Sequence, residues 1–176
     1  DSKTASILAR RGSGSAARSI YGGFAHMHKG TRSDGSDAFA EQLLAGENWP
    51  LAVVVAVVSE AAKSVGSTGG MRSSAATSPY FPAWVDTHNA DMVEATEAIH
   101  ERDFSRLAAI SESSCLKMHS VMMAGRPPLL YWRAGTMNCI NAIRELREQG
   151  VPVFFTIDAG PQVKAVCLPE FRDAVA

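Results

Sequence analysis

Apolar positions change period several times along this chain. From Leu51 to Val58 every residue is apolar and Val dominates, with Pro50 before the run and Ser59 after it. Such a run suits a strand covered on both faces. Val153–Ile157 (VFFTI) and Val163–Leu168 (VKAVCL) are shorter apolar runs joined by DAGPQ. Gly and Pro in that connection predict a tight turn and a hairpin-like pair of strands. Helical spacing governs the middle: Met92, Val93, Thr96 and Ile99 follow the capping candidates Asn89 or Asp91. Phe104, Leu107, Ala108 and Ile110 follow Asp103 in the same way, and the pattern runs on through Met118, Val121 and Met122 until Gly125–Pro128 breaks it. A last stripe, Met137, Ile140, Ile143 and Leu146, stops at Gly150 and leaves Arg144, Glu145, Arg147 and Glu148 facing out.

Nearer the start, small and apolar residues alternate around a Gly/Ser stretch, and Ala16, Ala17, Ile20 and Tyr21 predict a helix beginning just after Gly14 or Ser15. Gly30–Gly35 is a polar turn cluster, and Ser36–Gly46 has the pattern of a short amphipathic helix leading to a domain boundary at Pro50. Gly66–Pro79 (GSTGGMRSSAATSP) is a loop or the lead into a helix. The order of elements predicts an α+β fold, helices layered on a mainly antiparallel sheet.

Composition narrows the function. With 176 residues, 46% of them hydrophobic and 20% charged, the chain can bury a core. Its 17 basic and 18 acidic residues give a net charge of -1, which supplies no broad positive field for nucleic acid or an anionic membrane. Any anion must be held locally. The Leu51–Val58 run is far short of the roughly 20 residues a bilayer requires. Cys115, Cys139 and Cys167 lie far apart without metal-binding spacing, and read as reduced core or half-buried thiols of a cytoplasmic protein. The opening DSKTAS is not a signal peptide, and a start without Met suggests a terminus internal to a longer protein.

Two stretches could carry chemistry. GSGSAARS (Gly12–Ser19) offers backbone N–H groups at a helix start, the hydroxyls of Ser13 and Ser15, and the guanidinium of Arg18 a turn later. Together these make an anion cradle, though the same residues equally make an ordinary turn and cap. No GK[ST] is present, so it is not a Walker loop. Asp158 ends an apolar strand beside a Gly, where a carboxylate emerges at a sheet edge; by itself the position reads more readily as an aspartate bonding its own turn. Ser67, Thr68, Met71 and Arg72 could reach the same anion or line a surface loop. His26, His28, His88, His100 and His119 have no metal-site spacing and read as surface or capping residues, and Met118, Met122 and Met123 as core packing.

Taken in order, ARRGSGSAARSIYGGF, GSTGGMR, SPYFPAW, PPLLYW and FFTIDAGPQVKAV resemble mevalonate diphosphate decarboxylases of the GHMP kinase superfamily, over nearly the whole chain. The first and last segments are the most specific, and KMHSVMMAGRPPLLYW resembles a bacterial branch. The resemblance implies an enzyme of isoprenoid and sterol biosynthesis that uses ATP and Mg2+ to phosphorylate the tertiary hydroxyl of mevalonate 5-diphosphate. Phosphate and carbon dioxide are then lost to give isopentenyl diphosphate.

It implies, further, that Asp158 orients or deprotonates that hydroxyl and that Arg18 binds the substrate carboxylate or phosphate and keeps Asp158 ionised. Ser13, Gly14 and Ser15 would bind the diphosphate, with Ser67 and Met71 adding contacts. Residues 1–48 would be the tail of the ATP-binding domain and residues 49–176 the C-terminal α+β domain, with the active site in a cleft between them and the last helix cut short. The ATP phosphate loop of the superfamily would lie upstream, so this chain alone is expected to be inactive. A homodimer is one assembly left open. The rival readings are a related enzyme acting on mevalonate phosphate or mevalonate, and a homologue that binds an anion without reacting.

Overall fold

The computed structural model describes residues 1–61 and 65–176. It divides into two compact units, Asp1–Pro50 with Ile99–Arg102 and Leu51–Ala98 with Asp103–Ala176.

In the first unit α1 (Ser2–Arg10) starts under an Asp1 cap, the carboxylate accepting the Thr4 N–H at 2.8 Å. It leads to the short α2 (Gly14–Arg18) and then to β1 (Phe24–Met27) and β2 (Ala40–Leu44), an antiparallel pair. Ser6 ties these pieces together although it is fully buried: its hydroxyl donates to the Ala17 carbonyl at 3.0 Å and accepts the Ala40 N–H at 2.8 Å. A buried hydroxyl is tolerated there because both its bonds are made. Gly23, at φ +72°, lets the chain enter β1 closely, since a Cβ would stand 2.3 Å from the Leu44 carbonyl oxygen.

Two expectations fail in this unit. The segment Ser36–Gly46 contains β2 and not an amphipathic helix, because pairing with β1 satisfies its backbone while its buried residues, Ala38 and Ala40, lie two apart as on a strand. The helix after the Gly/Ser stretch stops at Arg18, so Ile20 and Tyr21 lie beyond it.

The second unit is built on a three-stranded antiparallel sheet in the order β3-β5-β4, with β3 at Ala52–Ala56, β4 at Val153–Thr156 and β5 at Val163–Cys167. Ala165 of the central strand pairs with Val54 on one side and Phe155 on the other. Helices α5 (Phe104–Met123) and α6 (Ala134–Glu148) pack on this sheet over a core of Cys115, Ile140, Ile143, Phe155, Ile157 and Val163. Asp103 caps α5, its carboxylate accepting the Arg106 N–H at 3.0 Å. The short α7 (Arg172–Val175) packs against the same core through Val175. Phe155 is wholly buried, and truncating such a ring costs about 3–5 kcal/mol.

β3 is covered on one face only. Val54 packs toward the core, but Val53 and Val55 are 55% and 51% exposed, so the apolar run does not mark a strand enclosed on both sides. Gly66–Pro79 holds α3 (Ser67–Thr77), and α4 runs from Phe81 to Glu101. Asn89 and Asp91 therefore sit within α4 and do not cap it; Pro82 occupies its first turn, where a missing N–H costs nothing. Of the three methionines expected in the core, Met122 is buried and Met118 half-buried, while Met123 is 37% exposed; Met137, in the apolar stripe of α6, is also exposed.

Candidate functional site

The turn between β4 and β5 presents Asp158. Ile157 before it is buried, as are Gly160 and Pro161 after it, so one exposed carboxylate stands on an otherwise enclosed turn. The support comes from beneath. His119 of α5 places Nε2 3.3 Å from the Ile157 carbonyl oxygen, and the Cys115 thiol donates to the same oxygen at 3.6 Å. Thr136 at the start of α6 donates its hydroxyl to the Pro161 carbonyl at 2.8 Å and accepts the Arg133 N–H at 3.1 Å. Gln162 fastens the far side of the turn to the end of β3, accepting the Val58 N–H at 2.6 Å and donating to the Ser59 carbonyl at 2.5 Å.

These contacts fix the chemistry of the supporting groups. Burial pushes the Cys115 thiol up, so it is an inert packing group despite lying beside the turn. Burial also pulls the His119 imidazole down, against the opposing pull of its bond to the Ile157 carbonyl, and His119 is therefore neutral near pH 7. Its burial at 2% exposure corrects the expectation of a surface or capping role. Asp158 itself forms an ion pair with Lys164 of β5, six positions on and next to the turn.

Asp158 also rims a cavity of about 340 Å³ bounded by Trp84, Asp91, Ser111, Ser114 and Met118. Asp91 in that wall is paired with Lys117 at 2.7 Å. The cavity has carboxylates at two points of its rim, which makes it unsuited to a polyanion by itself. Ser67 opens α3 and is exposed, and Met71 lies one turn further along at intermediate burial.

The first unit brings Ser13, Gly14, Ser15 and Arg18 together. Ser13 is the N-cap of α2, its hydroxyl accepting the Ala16 N–H at 3.0 Å and lying 3.0 Å from the Ser15 hydroxyl. Arg18 folds back so that its guanidinium donates to the Gly14 carbonyl at 3.2 Å. All four residues are exposed. The result is a short, polar, solvent-facing loop with two hydroxyls and one cation, able to hold an oxyanion bidentately once Arg18 swings out. With only five residues, α2 adds little dipole to that cradle.

Sequence reasoning missed His119, Thr136 and Lys164. Thr136 and His119 act through the main chain of a turn far away in sequence, which leaves no local signal. Lys164 did have one: a cation at an alternate position of β5, on the strand that leaves the Asp158 turn.

Residues 53–173 match the mevalonate 5-diphosphate decarboxylase C-terminal domain, and residues 1–40 match the diphosphomevalonate decarboxylase-like N-terminal domain. The human diphosphomevalonate decarboxylase is 38% identical over 160 residues, which make up 89% of this chain and 40% of the human one. A solved structure described as "MDDEF in complex with MVAPP, AMPPCP and Magnesium" superposes with a TM-score of 0.92 at 39% identity, over 99% of this chain and 53% of that one. The mevalonate diphosphate decarboxylase from Enterococcus faecalis, solved to show mevalonate diphosphate mediated ATP binding, gives a TM-score of 0.89 at 38% identity, over 99% of this chain and 52% of that one. The chain thus spans 40% of the human relative and about half of each solved one.

Proposed function

Because this chain belongs to the mevalonate 5-diphosphate decarboxylase family, we propose that the full-length protein carries out the ATP-dependent decarboxylation of mevalonate 5-diphosphate to isopentenyl diphosphate. The observation that carries the reading is Asp158: an exposed carboxylate on a turn whose flanking carbonyls are held by His119, Cys115 and Thr136. A group that must meet a hydroxyl within a few tenths of an ångström benefits from that kind of mounting.

In this reading Asp158 accepts the proton of the 3-hydroxyl as that oxygen takes the γ-phosphoryl group of ATP. Phosphate then departs with its bonding electrons, and the electron pair of the breaking bond to the carboxylate forms the double bond as carbon dioxide leaves. Positive charge developing at the substrate carbon is stabilised by a nearby carboxylate. Lys164 holds the Asp158 side chain beside the turn before substrate arrives.

Arg18 binds the substrate carboxylate or adjacent phosphate through its planar guanidinium. Ser13, Gly14 and Ser15 bind the diphosphate, and Ser67 and Met71 complete the substrate contacts. Phosphoryl transfer demands chiefly position and charge neutralisation, which these residue types supply. Mg2+ neutralises the nucleotide phosphates in such chemistry; it prefers oxygen ligands with several waters and phosphates, and reaches the reaction on ATP. Residues 1–48 form the tail of the ATP-binding domain and residues 49–176 the C-terminal domain of the enzyme. Three unpaired cysteines, Cys115, Cys139 and Cys167, support a cytoplasmic location.

The test uses full-length protein. Asp158→Asn is expected to lower turnover by several orders of magnitude while leaving substrate affinity nearly unchanged, as for a group that acts in the transition state. An unchanged turnover would instead indicate an anion-binding homologue. Mevalonate 5-diphosphate should also be favoured over the monophosphate in kcat/KM; a strong preference for the monophosphate would replace the substrate assigned here.

A further inference from the structure

We propose that His26, His28 and Glu41, on the β1–β2 hairpin, form a binding site for a divalent first-row transition ion of the zinc type. Strand geometry assembles it. Residues two apart on a strand point to the same side, so His26 and His28 share one face. The register of the pair sets Glu41 of β2 directly opposite His26, which brings its carboxylate to that face as well. The His28 N–H donates to the Phe39 carbonyl at 2.9 Å and continues the ladder one step beyond β1, so the backbone of all three residues is held.

The side chains have converged. The two imidazole rings stack with centroids 4.5 Å apart and planes 28° from parallel, and His28 Nε2 lies 2.8 Å from a Glu41 carboxylate oxygen. One ligand atom from each residue lies within 4.8 Å of the others. A tetrahedral ion with bonds of about 2.0–2.1 Å holds its donors about 3.4 Å apart, so closure takes small side-chain rotations on a fixed backbone. Phe39 packs against the His28 ring at 5.0 Å and limits its alternatives.

Donor chemistry selects the ion. Two imidazoles and one carboxylate form a nitrogen and oxygen set suited to zinc, cobalt or nickel, whereas Mg2+ takes oxygen ligands and retains its waters. The His26 ring, stacked on His28, brings a second imidazole beside the His28–Glu41 pair, so the three donors together can chelate one ion. The His28 and Glu41 side chains are 36% and 50% exposed, so an ion enters from solvent and keeps water in its remaining positions. Three protein ligands with open positions give a moderate affinity, and the ion braces the hairpin.

The test is a titration of chelator-treated full-length protein with ZnCl2, followed by calorimetry and by melting temperature, and with CoCl2, followed by visible absorption. One ion per chain should bind these groups, with a rise in melting temperature. The cobalt spectrum should show nitrogen and oxygen ligation without a thiolate charge-transfer band. His26→Ala, His28→Ala and Glu41→Gln should each weaken binding tenfold or more, while His88→Ala and His100→Ala leave it unchanged and a hundredfold excess of MgCl2 does not compete. A thiolate band, binding that survives His26→Ala, or binding that follows His88 or His100 would overturn the site. Where an alanine variant fails to fold, Glu41→Gln, which keeps the side-chain shape and removes the charge, carries the test in the same titrations, and binding unchanged in it overturns the site.

Discussion

His119 places its Nε2 3.3 Å from the carbonyl oxygen of Ile157, the residue immediately before Asp158. The Trp132 indole N–H approaches the same nitrogen at 3.4 Å, and one nitrogen cannot donate to the carbonyl and accept from the indole at once. The tautomer with its proton on Nε2 is the one that holds the Asp158 turn. Replacing His119 with Ala removes a buried ring and leaves that carbonyl only the weak Cys115 thiol donor, for an expected loss of about 2–4 kcal/mol in denaturant unfolding. His119→Gln, which retains a donor, should recover part of both stability and kcat. Equal losses in the two variants would show that the ring matters only as filler.

The same residue sets a pH dependence. Burial lowers the His119 pKa from its ordinary 6.5, so the unfolded chain binds a proton more readily than the folded one. Stability therefore rises with pH in that window: it is fully present above about 6.5 and is lost as pH falls toward the folded-state pKa. Asp34 and Asp37, whose carboxyls are held below the usual range by backbone N–H groups of Ser36 and Thr31, act in the same direction only at much lower pH. Unfolding free energy measured between pH 7 and pH 5 should decline in the parent protein and decline less in His119→Gln.

How far the sequence foretold this site depends on the range of the interactions involved. The β4–β5 hairpin and the helices α5 and α6 were legible because their apolar periods are regular, with the Asp103 cap opening α5 and Gly150 just past the end of α6. Asp158 was legible as the end of VFFTI. β2 was not: AEQLL is made of good helix formers, and only its pairing with β1 draws it into a strand. The start of α4 was hidden because Asp86, His88 and Asn89 lie on its exposed side and resemble a loop. The hairpin histidines carried no motif because Glu41 joins them through strand register and not through sequence spacing. Family likeness raised GSGSAARS and DAGP above ordinary turns; the geometry adds how each is held.

Gly160 gives a sharper test of the turn. Its φ is +94°, and a Cβ there would stand 3.3 Å from the Tyr131 Cβ and 3.5 Å from the Ile157 Cγ2. Gly160→Ala therefore combines a disfavoured backbone conformation with crowding, and should cost about 1–3 kcal/mol. Because the strain falls two residues from Asp158, kcat should drop by more than KM rises. An Ala variant as stable and active as the parent would mean that the turn adapts freely.

Lys164 separates stability from function. Its partner Asp158 has a side chain 85% exposed, and an ion pair this open to solvent contributes at most about 1 kcal/mol. Lys164→Met should thus leave the melting temperature almost unchanged, yet lower kcat about tenfold by releasing the carboxylate from its resting position; Lys164→Arg should restore most of the rate. A large stability loss with an unaltered rate would make Lys164 a structural residue.

Ser13 is where capping and ligand binding can be told apart. Its hydroxyl accepts the Ala16 N–H at 3.0 Å, and its backbone, at φ -165° and ψ 157°, has the extended form of a helix cap. Aspartate caps as well as serine, so Ser13→Asp should preserve stability, while Ser13→Ala should lose about 1 kcal/mol. The two variants reverse their order in binding. A carboxylate about 4 Å from a bound diphosphate is repelled by about 1 kcal/mol in bulk water and about 4 kcal/mol at the lower effective dielectric of a protein surface. The affinity of full-length Ser13→Asp for mevalonate 5-diphosphate should fall tenfold or more, and Ser13→Ala should lose less. If Ser13→Asp binds the substrate like the parent, Ser13 is a cap alone and the diphosphate is held elsewhere.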